Sequence, residues 1–325
     1  MKTRQSVICT AAAIAMAILI LDSRTAFRGA EQGINLCIRT VIPALFPFIF
    51  LSTILTNSSP GNDRVLIFPA KLFGIPANAS SIWIPAFLGG YPVGAQSVYQ
   101  AYRNGNLSRQ AAERLLAFCS NAGPSFLFGI LTLKFQKLQT VFAIWLIQLI
   151  AAWTASRIIK PDWQDNGNCA ERKLEKRNPM EITVLAMGKI CGWVILFRIL
   201  IFFLERWFLW IVPLNARILL IGLMELSNGC CMLDLVEDAS VRFVIANVLL
   251  AFGGICVVLQ TSSVCGTLSI RYYVLGKMIQ AVSSALLALI LVWKLWFLLP
   301  VWVVILLFAT GKREKKSSFL KTAVV

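Results

Sequence analysis

Four short stretches carry the residue types that could do chemistry, and each interrupts an apolar run. They are Gly89-Gly90-Tyr91-Pro92-Val93-Gly94-Ala95, Ser120-Asn121-Ala122-Gly123-Pro124-Ser125, Glu225-Leu226-Ser227-Asn228-Gly229 and Gln260-Thr261-Ser262-Ser263. A broken helix leaves N–H groups free on one side of the break and carbonyls free on the other. The amide end favours anions and polar oxygens, and the carbonyl end favours cations. Glycine lets backbone approach closely, and uncharged Ser, Asn and Gln add direction. A carboxylate inside an apolar hairpin, such as Glu225, is expensive and by default functional. The chemistry these residues suit is binding of a small polar solute or ion. The candidate binding residues are Gly90, Tyr91, Gly94, Ser120, Asn121, Glu225, Ser227, Asn228 and Gln260.

Each stretch also has a plainer reading. The glycines and Pro92 make a packing kink; Ser120 and Asn121 cap their own helix break; Glu225 sits at an interface or pairs with Arg198; residues 260–263 are the wet end of a span. Arg198 reads as half of an ion pair with Glu205 or Glu225.

Other chemistry is poorly served. The chain has no histidine, which removes the commonest general base and transition-metal ligand, and it has no H-E-x-x-H motif. Its nine cysteines show no C-x-x-C spacing, and Cys230 and Cys231 are adjacent. No enzyme activity, metal, cofactor or disulfide is expected.

The surroundings of these stretches are those of a polytopic membrane protein. Of 325 residues, 58% are hydrophobic and 14% charged, with a mean hydropathy of +0.74. Soluble proteins carry about 25% charged residues. The apolar residues come in membrane-length blocks, enough for about eight spans of roughly 20 residues. Lys and Arg exceed Asp and Glu by 31 to 15. The excess sits at the ends of apolar blocks and in the tail, as the positive-inside bias and snorkelling require, so nucleic acid is not an expected partner.

Spans are expected near residues 6–21, 34–55, 115–133, 141–159, 182–204 and 241–259, with 275–308 long enough for two short spans turning near Lys294. The first reads as an uncleaved span, because no A-x-A cleavage site follows it. Residues 81–99 and 218–235 are apolar but broken in the middle, so each arm is too short to cross about 30 Å of hydrocarbon and a re-entrant hairpin fits better. A polar loop is expected over 57–71, a basic amphipathic stretch over 103–114 and a charged linker over 160–180. Trp207, Trp210, Trp293 and Trp296 read as interfacial anchors.

The two sides of the linker look alike. Leu115-Leu116-Ala117-Phe118 and Leu249-Leu250-Ala251-Phe252 lie 134 residues apart, and Gly94 lies 135 residues before Gly229. Each side reads span, broken hairpin, broken span, span. With basic segments placed inside, the first span of one half starts outside and that of the other starts inside. The expected fold is therefore all-α, about eight transmembrane helices plus two re-entrant hairpins in two inverted repeats. Such repeats, with discontinuous helices at mid-membrane, build many secondary transporters. The divisions are a first span (1–30), repeat one (31–159), a cytoplasmic linker (160–180), repeat two (181–293), and a last span with basic tail (294–325), both termini cytoplasmic.

Pro43-Ala44-Leu45-Phe46-Pro47-Phe48, Gly90-Tyr91-Pro92-Val93-Gly94-Ala95, Ala117-Phe118-Cys119-Ser120-Asn121-Ala122-Gly123-Pro124 and Gly222-Leu223-Met224-Glu225-Leu226-Ser227-Asn228-Gly229 together resemble the YlbJ group of sporulation integral membrane proteins. That group belongs to the wider nucleoside recognition, or Gate-domain, superfamily. The resemblance covers about residues 31–290. It implies a bacterial plasma-membrane protein linked to sporulation, with Gate domains similar to those of concentrative nucleoside transporters. Solute and cation would then fall on Gly90, Gly94, Asn121, Glu225, Asn228 and Gln260. The expected function is binding or movement of a small polar, by analogy nucleoside-like, solute, with the coupling cation open and membrane lipid as surroundings. The alternative is a non-transporting protein of spore-envelope assembly, contacting a partner through the 160–180 linker and the basic tail.

Overall fold

The computed structural model describes residues 2–58, 64–159, 178–297, 299–300 and 302–304; among these it is helical with no strands. The charged linker and the tail, and the contacts expected of them, lie outside the described residues.

Helix α1 (Lys2–Leu21) ends at Asp22, whose carboxylate accepts the Thr25 N–H and caps α2 (Ser23–Leu36). A π-helical stretch, Cys37–Val41, carries α2 into α3 (Ile42–Ser58). Residues 23–55 therefore form one apolar helix of 33 residues, beginning well before the expected start at 34; the division at 30/31 falls inside it. Arg24, Arg28 and Glu31 hid its first turns from a hydropathy reading. Their opposite face is a small-residue stripe of Thr25, Gly29 and Gly33, all buried. That stripe packs backbone to backbone on α11 (below): a Cβ on Gly29 would lie 2.8 Å from Ile199 Cα, and one on Gly33 2.8 Å from Ile195 Cα. Small residues are what allow such approach between membrane helices.

Residues 64–72 are helical too, as α4 (Arg64–Leu72), where a polar loop was expected. Val65-Leu66-Ile67-Phe68 supply an apolar run that favours helix. A 3₁₀ turn (Ala77–Ile82) leads into α5 (Trp83–Phe87) and then α6 (Val93–Arg103), the first hairpin. Its incoming arm is bent by 87° between residues 65–72 and 77–87. Helix α7 (Arg109–Leu115), capped by Ser108 Oγ accepting the Ala111 N–H, gives way to non-helical backbone before α8 (Pro124–Phe126). A second π stretch (Leu127–Leu131) joins α8 to α9 (Thr132–Phe135), and α10 (Leu138–Ile158) returns.

Helix α11 (Pro179–Trp207) opens the second part, followed by the hairpin α12 (Leu214–Met224) and α13 (Leu226–Cys231), then α14 (Ala239–Phe252), α15 (Ile255–Val264) and α16 (Arg271–Trp293). Lys294 ends α16 in left-handed conformation (φ 53°), so the turn falls where expected, but a full 23-residue span precedes it.

Among the described residues, five helices are long and apolar enough to cross a membrane, or six if the bent pair counts as one span. Of the expected eight, those at 6–21 and 115–133 appear as shorter apolar helices over residues 9–21 and 124–135, and the last, beyond Lys294, falls mostly outside the described residues. Trp207, Trp210, Trp293 and Trp296 are exposed, as anchors require.

Two packing units position the site. Helices α2 and α11 run antiparallel: Arg206 pairs with Asp22 (3.2 Å) and donates to Thr25 (3.0 Å), Arg198 donates to Gln32, and Cys37 lies against Cys191. Helices α10, α14 and α16 are joined by buried polar contacts. Gln148 Nε2 donates to Ser284 Oγ (3.1 Å) and to the Asn247 carbonyl (3.1 Å), which also accepts from Ser284 Oγ (3.1 Å).

Candidate functional site

Each hairpin is closed by a glycine that nothing larger could replace. On α6, a Cβ at Gly94 would lie 1.7 Å from the Cys119 carbonyl oxygen and 2.8 Å from Ala86 Cα. On α13, a Cβ at Gly229 would lie 2.3 Å from Gly222 Cα and 3.1 Å from Leu249 Cδ1. Both glycines thus press their helix onto the hairpin's incoming arm and onto the broken span beyond it. This is a packing role, so Gly94 does not line the site as expected.

The breaks expose backbone groups that lipid cannot satisfy. At the second hairpin, Glu225 is extended between α12 and α13 and caps the latter. Its Oε1 accepts the Ser227 N–H (3.1 Å), and its Oε2 accepts the Asn228 N–H and Nδ2 (2.8 Å each). The anion sits at amide ends, and Asn228 is spent on holding it.

At the first hairpin the arrangement is reversed, with a lysine Nζ among carbonyl ends. Gly90 (φ 82°) turns the chain, and Tyr91 reaches the break between α14 and α15, where Gly253 and Gly254 both have positive φ. The Tyr91 ring lies against Gly253, and its Oη donates to the Leu250 carbonyl (2.9 Å). Tyr91 Oη in turn accepts from Lys277 Nζ (3.0 Å). Lys277, on α16 and fully buried, donates further to Gln280 Oε1 (2.9 Å) and Asn121 Oδ1 (3.4 Å). Gln280 Nε2 donates to the Ala117 carbonyl (2.8 Å), and Asn121 Nδ2 to those of Phe118 (2.8 Å) and Ala86 (3.2 Å). Three N–H bonds of the ammonium meet three oxygens, and those residues' own donors satisfy carbonyls at the ends of α5, the α7 region and α14.

Two cavities lie along this arrangement. The inner one, about 50 Å³, is lined by Gly90, Tyr91, Gly123, Glu225, Ser227 and Gln260 among others. It brings both hairpin tips and both broken spans to one place. A water needs roughly 10–15 Å³ of such space, so the cavity holds a few waters in this conformation. The second, about 210 Å³, is lined by Gln96, Tyr99, Arg103, Lys189, Ser263 and Gly266 among others. It lies one helical turn along α15 from Gln260, and Lys189 donates there to the Ser263 carbonyl (3.1 Å).

No family model matches the chain, and no curated protein or solved structure does. The site therefore rests on its own geometry. Of the nine expected residues, Gly90, Tyr91, Glu225, Ser227 and Gln260 meet at the inner cavity. Asn121 faces Lys277, Asn228 faces Glu225, and Gly94 packs. Ser120 is buried, its Oγ without a partner among the described residues. Residues 260–263 divide: Gln260 and Thr261 are buried within α15, while Ser262 is exposed and Ser263 lines the larger cavity near the helix end at Val264. The expected ion pair of Arg198 with Glu205 or Glu225 is absent among the described residues; its guanidinium lies over Phe202 (4.8 Å) and bonds Gln32.

Lys277 and Gln280 were not among the expected residues. A lysine near a span end ordinarily snorkels, and α16 reads as a plain span. A signal was available nonetheless. Tyr273, Lys277, Gln280 and Ser284 recur at helical spacing, a polar stripe on an otherwise apolar helix. All four are buried to within 1%.

Proposed function

We propose that the protein binds a small polar solute at the inner cavity and passes it across the membrane by moving the two hairpins relative to the spans around them. The observation that carries this reading is the convergence of both hairpin tips and both broken spans on one cavity, whose mainly apolar wall carries Tyr91, Glu225, Ser227 and Gln260. Discontinuous helices meeting at mid-membrane are the usual construction of a transporter's binding site.

Three further observations support an inverted-repeat carrier. The opening helices of the two halves, α2–α3 and α11, pack antiparallel. Gly94 and Gly229 make matched contacts, each to its hairpin's incoming arm and its broken span. Both halves end in a helix, α10 and α16, joined through Gln148 and Ser284. The larger basic cavity serves as the cytoplasmic approach, since Arg103 and Lys189 belong on the positive side. The inner cavity, with room for a few waters, must widen to admit a solute.

The solute class is uncharged and polar, matching Tyr91, Ser227 and Gln260, and nucleoside-like compounds head the list by the Gate-domain resemblance. The location is a bacterial plasma membrane with both termini cytoplasmic, in a cell that sporulates.

The test is a thermal-shift screen of purified protein against nucleosides and other small polar solutes, followed by uptake into proteoliposomes. A solute that stabilises the wild type, is transported, and does neither with Ser227→Ala or Gln260→Ala supports the reading. If no solute shifts stability, and these variants behave as wild type in spore formation, carrier function fails. Envelope assembly through a partner then takes its place.

A further inference from the structure

We propose that the Lys277 ammonium is a tethered cation occupying a monovalent-cation site, formed by Tyr91 Oη, Asn121 Oδ1 and Gln280 Oε1, that holds the first hairpin closed. The inference rests on the packing around Lys277 and not on the transport reading.

Among the described residues, Nζ has no carboxylate partner such as a buried ammonium ordinarily has. From α16 it faces Gln280 and the Tyr273 ring (5.9 Å); from the first hairpin, Tyr91, whose ring centroid is 4.7 Å away; from the broken span, Asn121 and Cys119. None is a carboxylate. A lone ammonium out of water is costly. What the structure sets against that cost is three neutral oxygens with helix carbonyl ends arranged behind them. The C-terminal carbonyls of α14 accept from Tyr91, those following α7 accept from Gln280 and Asn121, and that of Ala86 on α5 accepts from Asn121. Oriented carbonyl ends and side-chain oxygens are the coordination that free monovalent cations find at broken membrane helices. Lys277 supplies the charge on a side chain instead, and its three donors leave no oxygen of the cluster for a second cation.

The arrangement ties together segments that hairpin motion would separate. Tyr91 belongs to the hairpin tip, Asn121 to one broken span, the Leu250 carbonyl to the other, and Lys277 and Gln280 to α16. Removing the charge should therefore loosen the tip, and returning a cation should tighten it.

The experiment is the thermal stability of purified full-length protein in detergent, wild type against Lys277→Ala. Sodium, ethylammonium and choline chlorides are compared at about 100 mM, where a ligand bound only by the folded state raises Tm. The wild type should show the same Tm in all three salts. Lys277→Ala should lose about 5 °C or more in choline and regain at least half of the loss in sodium or ethylammonium, which fit the vacated space. Equal responses of wild type and variant to the three salts overturn the proposal. So does a wild-type Tm that rises in sodium over choline, since the place would then stand open. Should Lys277→Ala not fold, Lys277→Met keeps the bulk without the charge. A Tm below wild type and indifferent to salt supports the proposal, and a Tm equal to wild type overturns it. No transported solute enters these measurements, so failure of the carrier reading leaves them interpretable.

Discussion

Lys277 Nζ and Tyr91 Oη lie 3.0 Å apart although 186 residues separate them, and through this contact a helix at the end of the chain grips the tip of the first hairpin. Tyr91 in turn donates to Leu250, so one hydroxyl joins three segments. Tyr91→Phe should keep the ring against Gly253 while leaving the ammonium and the Leu250 carbonyl each one partner short. A loss of about 1–3 kcal/mol in stability is expected. Reversible unfolding of the purified variant measures it, and an unchanged stability would show the hydroxyl to be dispensable.

Glu225 caps α13 while lining the inner cavity, so its variants should separate by how many bonds they keep. Glu225→Gln retains one acceptor oxygen and should be milder than Glu225→Ala, which loses the whole cap at a cost of about 0.5–2 kcal/mol. The comparison is of Tm and of solute-induced shift in the two variants. The reverse order would mean that the buried charge is itself the main cost.

Glycines at the hairpin crossings and glycines facing open space should behave as opposites. Gly94→Ala puts a methyl 1.7 Å from the Cys119 oxygen, so α6 must move off the broken span. Gly129→Ala and Gly188→Ala meet nothing within 4 Å. The first should cost about 3 kcal/mol or more through forced displacement of packed helices, while the other two stay near neutral or gain a few tenths from helix propensity. Yield of monodisperse protein and Tm give the readout. A Gly94→Ala protein as stable as Gly129→Ala would contradict the close approach.

In the turn between α13 and α14, outside the membrane-length helices, Asp234 is held below the ordinary carboxylate range by its hydrogen bond and ion pair with Lys134 (2.9 Å). A carboxylate with a depressed pKa stabilises the fold above its unfolded value, and that contribution disappears as pH falls through the folded one. The Tm of wild type should therefore decline between neutral pH and the acid side of the usual Asp range. Asp234→Asn should start lower and lose less over the same interval. Parallel curves for the two proteins would remove Asp234 from the acid response.

Hydropathy and helix breakers alone specified a helical chain with several helices apolar and long enough to cross a membrane, its glycine-bearing hairpins and the positions of most of its turns. Those features are local: lipid rejects unpaired peptide groups wherever they occur, and glycine, proline and polar residues mark the interruptions. The stripe Tyr273, Lys277, Gln280, Ser284 was equally local, yet its meaning was not. Whether a lysine near a span end reaches the interface or turns inward depends on what packs around it. Likewise α2 looked too charged for a span because its buried glycine face is matched only by the backbone of α11. Asn121, Asn228 and Gln260 share one side-chain type of chemistry, but the first two are consumed satisfying the breaks and the third, its Nε2 donating to Cys256 Sγ (3.3 Å), lines the cavity. Composition can supply polar groups to a bilayer, whereas only the assembled helices decide which of those groups satisfy each other and which remain for a ligand.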